Sequence, residues 1–334
     1  IRPEVTGNVT IKNGTIDIKA GTNVKWMFNS YAADFVVEDV TIDGTNMVTS
    51  TSEDYLLVVQ NAGDKATFDN VTIQNYDAKK VYLEGNTTFV APQEFDNIVI
   101  PAGYVLVYEN GMYKVKPAVA SITADGTPTT YYETLAGAVE AATAGQTVNL
   151  LADATGAGLK INKDVTINFG GKTYTINQAV GSTGTESQGF QLLKDNTVTL
   201  KNGNIAIAEN TNVKWMFNAY ADVTLESLNV NCANMAAPAE NEANYVLVVN
   251  NGGSATPTVT YTNVTVTNFP TATAKIWLDP RTTLKAGEGL ESSIETGEGY
   301  VVVYNNGEYT AVPAVASITA DGTPTTYYET LAGA

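Results

Sequence analysis

The hydrophobic positions of this chain follow a short pattern that recurs six times. Each instance reads apolar, Thr or Val, large apolar, polar, then Asn, Asp or Ser, two variable positions, and Ile or Val. The instances begin at Val9, Phe35, Ala66, Val198, Val223 and Val259. Alternating apolar residues on both sides of the central polar residue indicate two short strands, each with a period of two, joined at a bend.

The polar residue at the centre of each instance is expected to form the bend. These residues are Asn13, Asp39, Asn70, Asn202, Ser227 and Asn263. Asn and Asp tolerate the left-handed backbone conformation and form local hydrogen bonds. The spacing of about 25 to 36 residues leaves room for several strands in each coil, so that successive coils pair in parallel along a solenoid axis. The pattern therefore predicts an all-β fold, a parallel β-helix in which these residues stack in a column.

A longer repeat is superimposed on the short pattern. The segment Pro117–Ala138 recurs without a single change as Pro313–Ala334, and we call these two stretches the copies of the repeated segment. We interpret the identity as recent duplication inside a longer array of modules. The predicted domains are an N-truncated module at 1–116, a complete module at 117–312, and the opening of a next module at 313–334. On this interpretation the chain starts and stops within modules.

Both ends of a solenoid expose unpaired strands and need a cap. In the repeated segment, Thr134 is a suitable N-cap for apolar residues that recur on one helical face, which predicts a short capping helix at about 134–143. The dipeptides Asn110-Gly111 and Asn306-Gly307 favour tight hairpin turns. We expect each module to begin with a capping helix and to end with an antiparallel hairpin.

One stretch of the chain resembles the right-handed parallel β-helix, pectate-lyase-like repeats of bacterial cell-surface and adhesin proteins. It runs from Tyr131 to Ala142, which includes the predicted helix, and continues from Gly145 to Asp153. In that family this stretch is the capping helix and its entry into the first coil. The resemblance implies tandem right-handed β-helical modules. It carries no catalytic motif, and a fold does not define an activity.

Composition narrows the classes of function. The formal charge of −17 repels phosphate backbones and anionic lipids, so we expect neither nucleic acid nor membrane insertion. Histidine is absent, and arginine occurs only at Arg2 and Arg281. The chain therefore has no histidine to act as a general base and only two arginines that could bind an anion through two hydrogen bonds. Both facts weigh against an enzyme. The single cysteine, Cys232, is expected to be a buried thiol without a chemical role.

Two matching aromatic stretches are the candidate site. The first contains Lys25, Trp26, Asn29 and Tyr31, and the second contains Lys214, Trp215, Asn218 and Tyr220. Exposed aromatic faces beside amide donors bind sugars. Strand alternation favours the other assignment, in which Trp26, Phe28, Trp215 and Phe217 lie in the core.

No cofactor is expected, and no motif supports a structural Ca²⁺. The sequence leads to the hypothesis of a non-enzymatic bacterial tandem-repeat protein, secreted or at the cell surface, whose modules stack end to end into a stalk, adhesin shaft or filament. Its main partner is then itself, with glycans or a host surface as further partners. The alternative hypothesis is a carbohydrate-binding module or a degenerate polysaccharide lyase that uses the side face of the solenoid.

Overall fold

The computed structural model describes residues 1–4, 6–48, 53–123, 129–238, 243–253, 256–271, 273–319 and 325–333. The protein is all-β, with 52% strand and 4% helix, and forms a β-solenoid of about ten turns. It divides into a first unit, Ile1–Ala118, and a second unit, Val119–Ala334. The predicted β-solenoid is confirmed.

The strands of the first unit alternate between two sheets. They are β1 (Asn8–Asp17), β2 (Trp26–Ser30), β3 (Asp34–Asp43), β4 (Tyr55–Val59), β5 (Lys65–Asp69), β6 (Thr72–Gln74), β7 (Val81–Leu83), β8 (Thr88–Val90), β9 (Ile98–Val99), β10 (Tyr104–Glu109) and β11 (Met112–Pro117). One sheet has the order β1-β3-β5-β8-β11-β10, with β6 beside β3, and the other has the order β2-β4-β7-β9. Pairing is parallel between turns, and it becomes antiparallel at β11, which pairs with β8 and with β10 around Asn110-Gly111.

The second unit opens with one copy of the repeated segment. Its elements are β12 (Ala120–Thr123), β13 (Thr130–Tyr132), helix α1 (Leu135–Ala141), β14 (Gln146–Leu150), β15 (Ala154–Ala157), β16 (Leu159–Ile161), β17 (Val165–Asn168), β18 (Thr173–Gln178), β19 (Gln188–Leu192), β20 (Thr197–Ile207), β21 (Trp215–Ala219), β22 (Asp222–Asn231), β23 (Tyr245–Val249), β24 (Thr258–Thr267), β25 (Ile276–Leu278), β26 (Thr283–Lys285), a 3-10 turn (Glu291–Ser293), β27 (Ile294–Glu295), β28 (Tyr300–Asn305), β29 (Glu308–Pro313), β30 (Ala316–Ile318), β31 (Thr326–Tyr328) and a 3-10 turn (Leu331–Gly333).

Two long sheets enclose the core of the second unit. The first has the order β13-β12-β14-β17-β20-β22-β24-β26-β29-β28, and the second has the order β16-β19-β21-β23-β25-β27. Turns pair in parallel, and antiparallel strands occur at both ends of the first sheet. The apolar residues of each strand that face inward form columns, so that Phe190 stacks on Phe217 with ring centroids 5.4 Å apart. Each such side chain contributes about 1.5–3 kcal/mol when fully buried.

The predicted column of bends is confirmed. All six central residues have a positive φ between 49° and 59°, the left-handed conformation that Asn and Asp tolerate. Neighbouring residues of the column also bond to each other, since Asn70 Nδ2 donates to Asp39 Oδ1 at 2.6 Å. The expectation of two separate strands is wrong for most instances. β1 and β3 run unbroken through the bend because pairing resumes one residue later, from Lys12 with Glu38 to Gly14 with Val40.

Ser227 allows a test of the left-handed bend conformation, because its side chain is exposed and its φ is 54°. Ser227→Val places a β-branched side chain in that conformation and is expected to lower the free energy of unfolding by about 1–2 kcal/mol. Ser227→Gly removes the steric cost and is expected to be neutral within about 0.5 kcal/mol. Urea unfolding followed by circular dichroism measures both. The matched control is Glu226→Val on the same strand. A loss as large in Glu226→Val as in Ser227→Val contradicts the assignment.

Gly14 in the first unit and Gly203 in the second occupy the same position of the short pattern, directly after its central Asn, but have different surroundings. A Cβ on Gly203 would lie 2.2 Å from Phe169 Cβ, whereas a Cβ on Gly14 meets nothing within 4 Å. Gly203→Ala is therefore expected to cost about 1–3 kcal/mol of unfolding free energy through overpacking. Gly14→Ala is expected to be neutral or to stabilise by up to about 1 kcal/mol. Equal urea midpoints for the two variants would contradict this packing.

Candidate functional site

The structure corrects the prediction that Trp26 and Trp215 lie in the core. Trp26 is 38% exposed and Trp215 is half-buried, whereas Phe28 and Phe217 are fully buried as predicted. Each tryptophan is the first residue of its strand, where the chain leaves a corner of the turn. An indole N–H also requires an acceptor. Trp26 Nε1 donates to the carbonyl of Glu53 at 2.6 Å, and Trp215 Nε1 donates to that of Ala243 at 3.3 Å.

Each tryptophan begins a ladder of aromatic residues on successive turns. The first ladder consists of Trp26, Tyr55 and Tyr82, and the second of Trp215, Tyr245 and Trp277. Trp26 pairs with Tyr55 in the sheet register, as Trp215 does with Tyr245. The rings of Tyr55 and Tyr82 meet edge to face with centroids 6.0 Å apart, and those of Tyr245 and Trp277 do so at 5.8 Å.

Polar groups fix the second and third members of the second ladder, Tyr245 and Trp277. Trp277 Nε1 donates to Asp279 Oδ1 at 2.7 Å, and the Tyr245 hydroxyl donates to Glu295 Oε2 at 2.9 Å. Lys275 forms an ion pair with the same Glu295. Burial, followed by the hydrogen bond to Glu295, raises the pKa of Tyr245 well above its ordinary value. The rings are therefore held in place before any ligand arrives.

The asparagines of the two predicted stretches differ in their partners. Asn29 Oδ1 accepts from Gln60 Nε2 at 2.8 Å. Asn218 is fully buried, and its Nδ2 donates to the Tyr220 hydroxyl at 3.3 Å, but its Oδ1 has no hydrogen-bond partner. The chain carries Asn250 at the position that corresponds to Gln60, and this side chain is one methylene shorter.

The other predicted residues flank the ladders. The Arg2 guanidinium lies over the Tyr31 ring, 5.1 Å from its centroid, in the first unit. Lys25 is exposed at the entry to β2. Tyr220 and Lys214 border a groove in the second unit. The structure thus brings Lys214, Trp215 and Tyr220 together at one surface, and the buried Asn218 is linked to it through its hydrogen bond to Tyr220.

This groove is the candidate site. It has a volume of about 810 Å³ and lies over the second ladder. One wall is the loop before β19, which folds back so that the backbone N–H of Val180 donates to Gln188 O and that of Gln188 to Val180 O. Its described lining residues are Ser182, Gly184, Thr185, Ser187, Gln188, Asn212, Lys214, Trp215, Tyr220, Ala243, Tyr245, Val248, Asn250 and Trp277.

Several residues of the groove were not predicted from the sequence. Gln188, Tyr245 and Trp277 lie far apart along the chain and meet only because the turns stack. One signal was available for Tyr245: the apolar run Tyr245–Val249 does not alternate, which is typical of a strand covered on both faces. All five residues of that strand are indeed buried.

A second surface of interest is the repeated segment, whose two copies have different surroundings. In the first copy, β12 pairs with β13 on one side and with β14 on the other. Helix α1 begins at its N-cap Thr134, whose hydroxyl accepts from Gly137 N, and buries Leu135. In the second copy, β30 pairs with β31, and Val315, Ile318 and Leu331 are 71%, 43% and 78% exposed.

Other chemical groups are accounted for within the described part of the chain. Cys232 is fully buried, and burial raises its pKa to about 12. Arg281 donates to the carbonyl of Gly253 at 3.0 Å. No cluster of three or more Cys, Asp or Glu able to hold a metal occurs among the described residues. Within the same residues, no helix has the length and apolar character needed to cross a membrane.

Comparison with protein-family models, with curated proteins and with solved structures finds no match to this chain.

The first ladder predicts a dependence of stability on pH. Burial, then the hydrogen bond to Glu84, raises the pKa of Tyr82 from 10.0 to about 12. The folded state resists loss of this proton more than the unfolded state does. The contribution of Tyr82 is therefore fully present below pH 10.0 and is lost as the pH rises towards about 12. We expect Tyr82→Phe to show a smaller fall in unfolding free energy across this interval than the unmodified chain in urea titrations. Equal slopes would contradict the assignment.

Proposed function

We propose that this protein is a non-enzymatic, extracellular tandem-repeat protein whose right-handed β-helical modules stack end to end into a stalk, adhesin shaft or filament. Each module in this proposal opens with a capping helix and closes with an antiparallel hairpin, as in the bacterial surface repeats that the sequence resembles. The observation that carries the proposal is the difference between the two copies of the repeated segment. One sequence exists in two surroundings, and only one of them buries its apolar residues.

The first copy defines what the segment packs against. Ile122 is 6% exposed and Leu135 is 1% exposed, and both belong to the core of the second unit. The strand β12 supplies the register, since Ile122 lies opposite Val148 of β14. This segment therefore packs against the first coil of a module. It pairs with that coil through a strand equivalent to Gln146–Leu150.

The second copy presents the same groups without such a strand. Ile318 and Leu331 correspond to Ile122 and Leu135 and are exposed. An open strand edge beside exposed apolar side chains is a template for pairing. Burying each of these side chains would contribute about 1.5–3 kcal/mol. In the proposed assembly, the opening coil of a module packs on this segment, as it does on the first copy.

Extending the chain tests this proposal. Residues 139–312 are appended after Ala334, so that the second copy is followed by the same sequence as the first. We expect the amides of 316–318 to become protected from hydrogen exchange, because they acquire a strand of the β14 type. Exchange is followed by mass spectrometry on peptides that begin before Pro313, where the preceding residues differ from those before Pro117. Unchanged exchange at 316–318 would contradict the proposal.

A pair of leucines provides the matched control. Leu135→Ala is expected to cost about 2–5 kcal/mol in the original chain, whereas Leu331→Ala costs nothing measurable there because its side chain is already exposed. In the extended chain, Leu331→Ala should acquire a cost similar to that of Leu135→Ala. If Leu331→Ala stays neutral in urea unfolding of the extended chain, modules do not stack through this segment.

A further inference from the structure

The groove over the second ladder has features that the stacking of modules does not require. It lies entirely within the second unit and is built from loops and strands of successive turns. Its volume of about 810 Å³ is in the range of small-ligand sites. A ligand in this groove is therefore independent of the proposed assembly.

The charge of the lining differs from that of the chain. The sequence has 35 acidic residues, yet none belongs to the described lining, where Lys214 is the one charged residue. The remaining lining consists of aromatic, amide, hydroxyl and small side chains. Such a surface suits a ligand that is uncharged and rich in both apolar faces and hydroxyl groups.

The aromatic rings present fixed faces to the groove. The indole N–H groups of Trp215 and Trp277 are both used within the protein, on Ala243 O and Asp279 Oδ1. What the rings can still offer is therefore their π-faces. Rigid aromatic faces lose little conformational entropy when a flat apolar ligand face stacks on them.

Buried acceptors without partners supply the independent evidence for a ligand. The side-chain oxygen of Gln188, which lines the groove, has no hydrogen-bond partner although the residue is only 6% exposed. The oxygens of Gln191 and Asn218 are unpartnered in the same way. These two residues pair across β19 and β21, and Asn218 contacts the groove-lining Tyr220. An unpaired buried acceptor costs free energy, which a donor from a ligand recovers.

The first unit shows that this arrangement is not imposed by the fold. There, the equivalent acceptor on Asn29 is satisfied by Gln60. In the second unit, the shorter Asn250 lines the groove, and its own Oδ1 accepts from Gly252 N at 2.9 Å. The unpartnered oxygen of Asn218 is thus specific to the second unit, whereas the first unit has its buried oxygens without a hydrogen-bond partner elsewhere, on Asp34, Asp64 and Thr67.

The geometry points to a binding site for a short neutral oligosaccharide in this groove. Pyranose rings stack on Trp215, Trp277 and Tyr220, and a sugar hydroxyl donates to the unpartnered oxygen of the groove-lining Gln188, which is buried in this structure and must turn toward the ligand. Asn212, whose Nδ2 donates one N–H to the carbonyl of Glu186 at 2.8 Å, keeps its second amide N–H for a sugar oxygen. The loop at 180–187 forms the wall that confines the chain of sugars to the groove.

Tryptophan fluorescence of the full chain tests the site directly. The chain has three tryptophans, two of which line the groove. In a Trp26→Phe background, the signal reports on the groove alone. The probes are the hexasaccharides of β-1,4-linked glucose, mannose and xylose, with oligogalacturonate as the acidic counterpart. We expect a saturable change with a neutral hexasaccharide. No saturable change with any neutral probe, or tighter binding of oligogalacturonate, overturns the proposal.

Two substitutions locate the binding and separate it from folding. Trp215→Ala removes a stacking face and is expected to weaken affinity about tenfold, with Trp277 as the remaining reporter. Gln188→Met keeps the shape but removes the unpartnered acceptor. It should weaken affinity about fivefold to tenfold while leaving the urea midpoint unchanged or higher. This variant carries the test if Trp215→Ala unfolds the second unit. Full affinity in Gln188→Met overturns the assignment of the acceptor and with it the proposed site.

Discussion

The whole structure depends on parallel backbone hydrogen bonding between successive turns. Each strand satisfies its N–H and C=O groups through the turn before it and the turn after it, so every turn must place its bend at the same position. That requirement explains the column from Asn13 to Asn70 and its counterpart from Asn202 to Asn263, all with positive φ. One residue in the left-handed conformation lets a strand change direction without losing its register. The turns can then stack while their apolar side chains form continuous columns.

The same hydrogen bonding leaves open edges at the ends of each stack. Antiparallel strands occupy these edges: β12 lies against the first turn of the second unit, and β29 lies against its last turn. The identical segment that supplies β12 returns as β30, with its apolar side chains exposed. In the proposed assembly, modules join at these ends of the solenoid. The groove is on a side face, where consecutive turns bring distant residues together.

Sequence periodicity was sufficient to predict the stacked turns and all six bend residues, because both follow from local backbone geometry. It failed at Trp26 and Trp215, since strict alternation does not hold for the first residue of a strand at a corner. It also could not reveal Gln188 or Trp277 as groove residues, because their proximity depends on the register between turns. The comparison of Gln60 with Asn250 becomes informative only when the hydrogen bonds of Asn29 and Asn218 are known.

The central claim is that modules continue one another's strand stacking. Negative-stain electron microscopy of chains with two, three and four copies of residues 117–312 in series tests it most directly. The account predicts straight rods whose length increases by the same increment with each added module. Beads joined at variable angles, with no constant increment, would contradict continuous stacking and would leave the repeated segment without the role assigned to it.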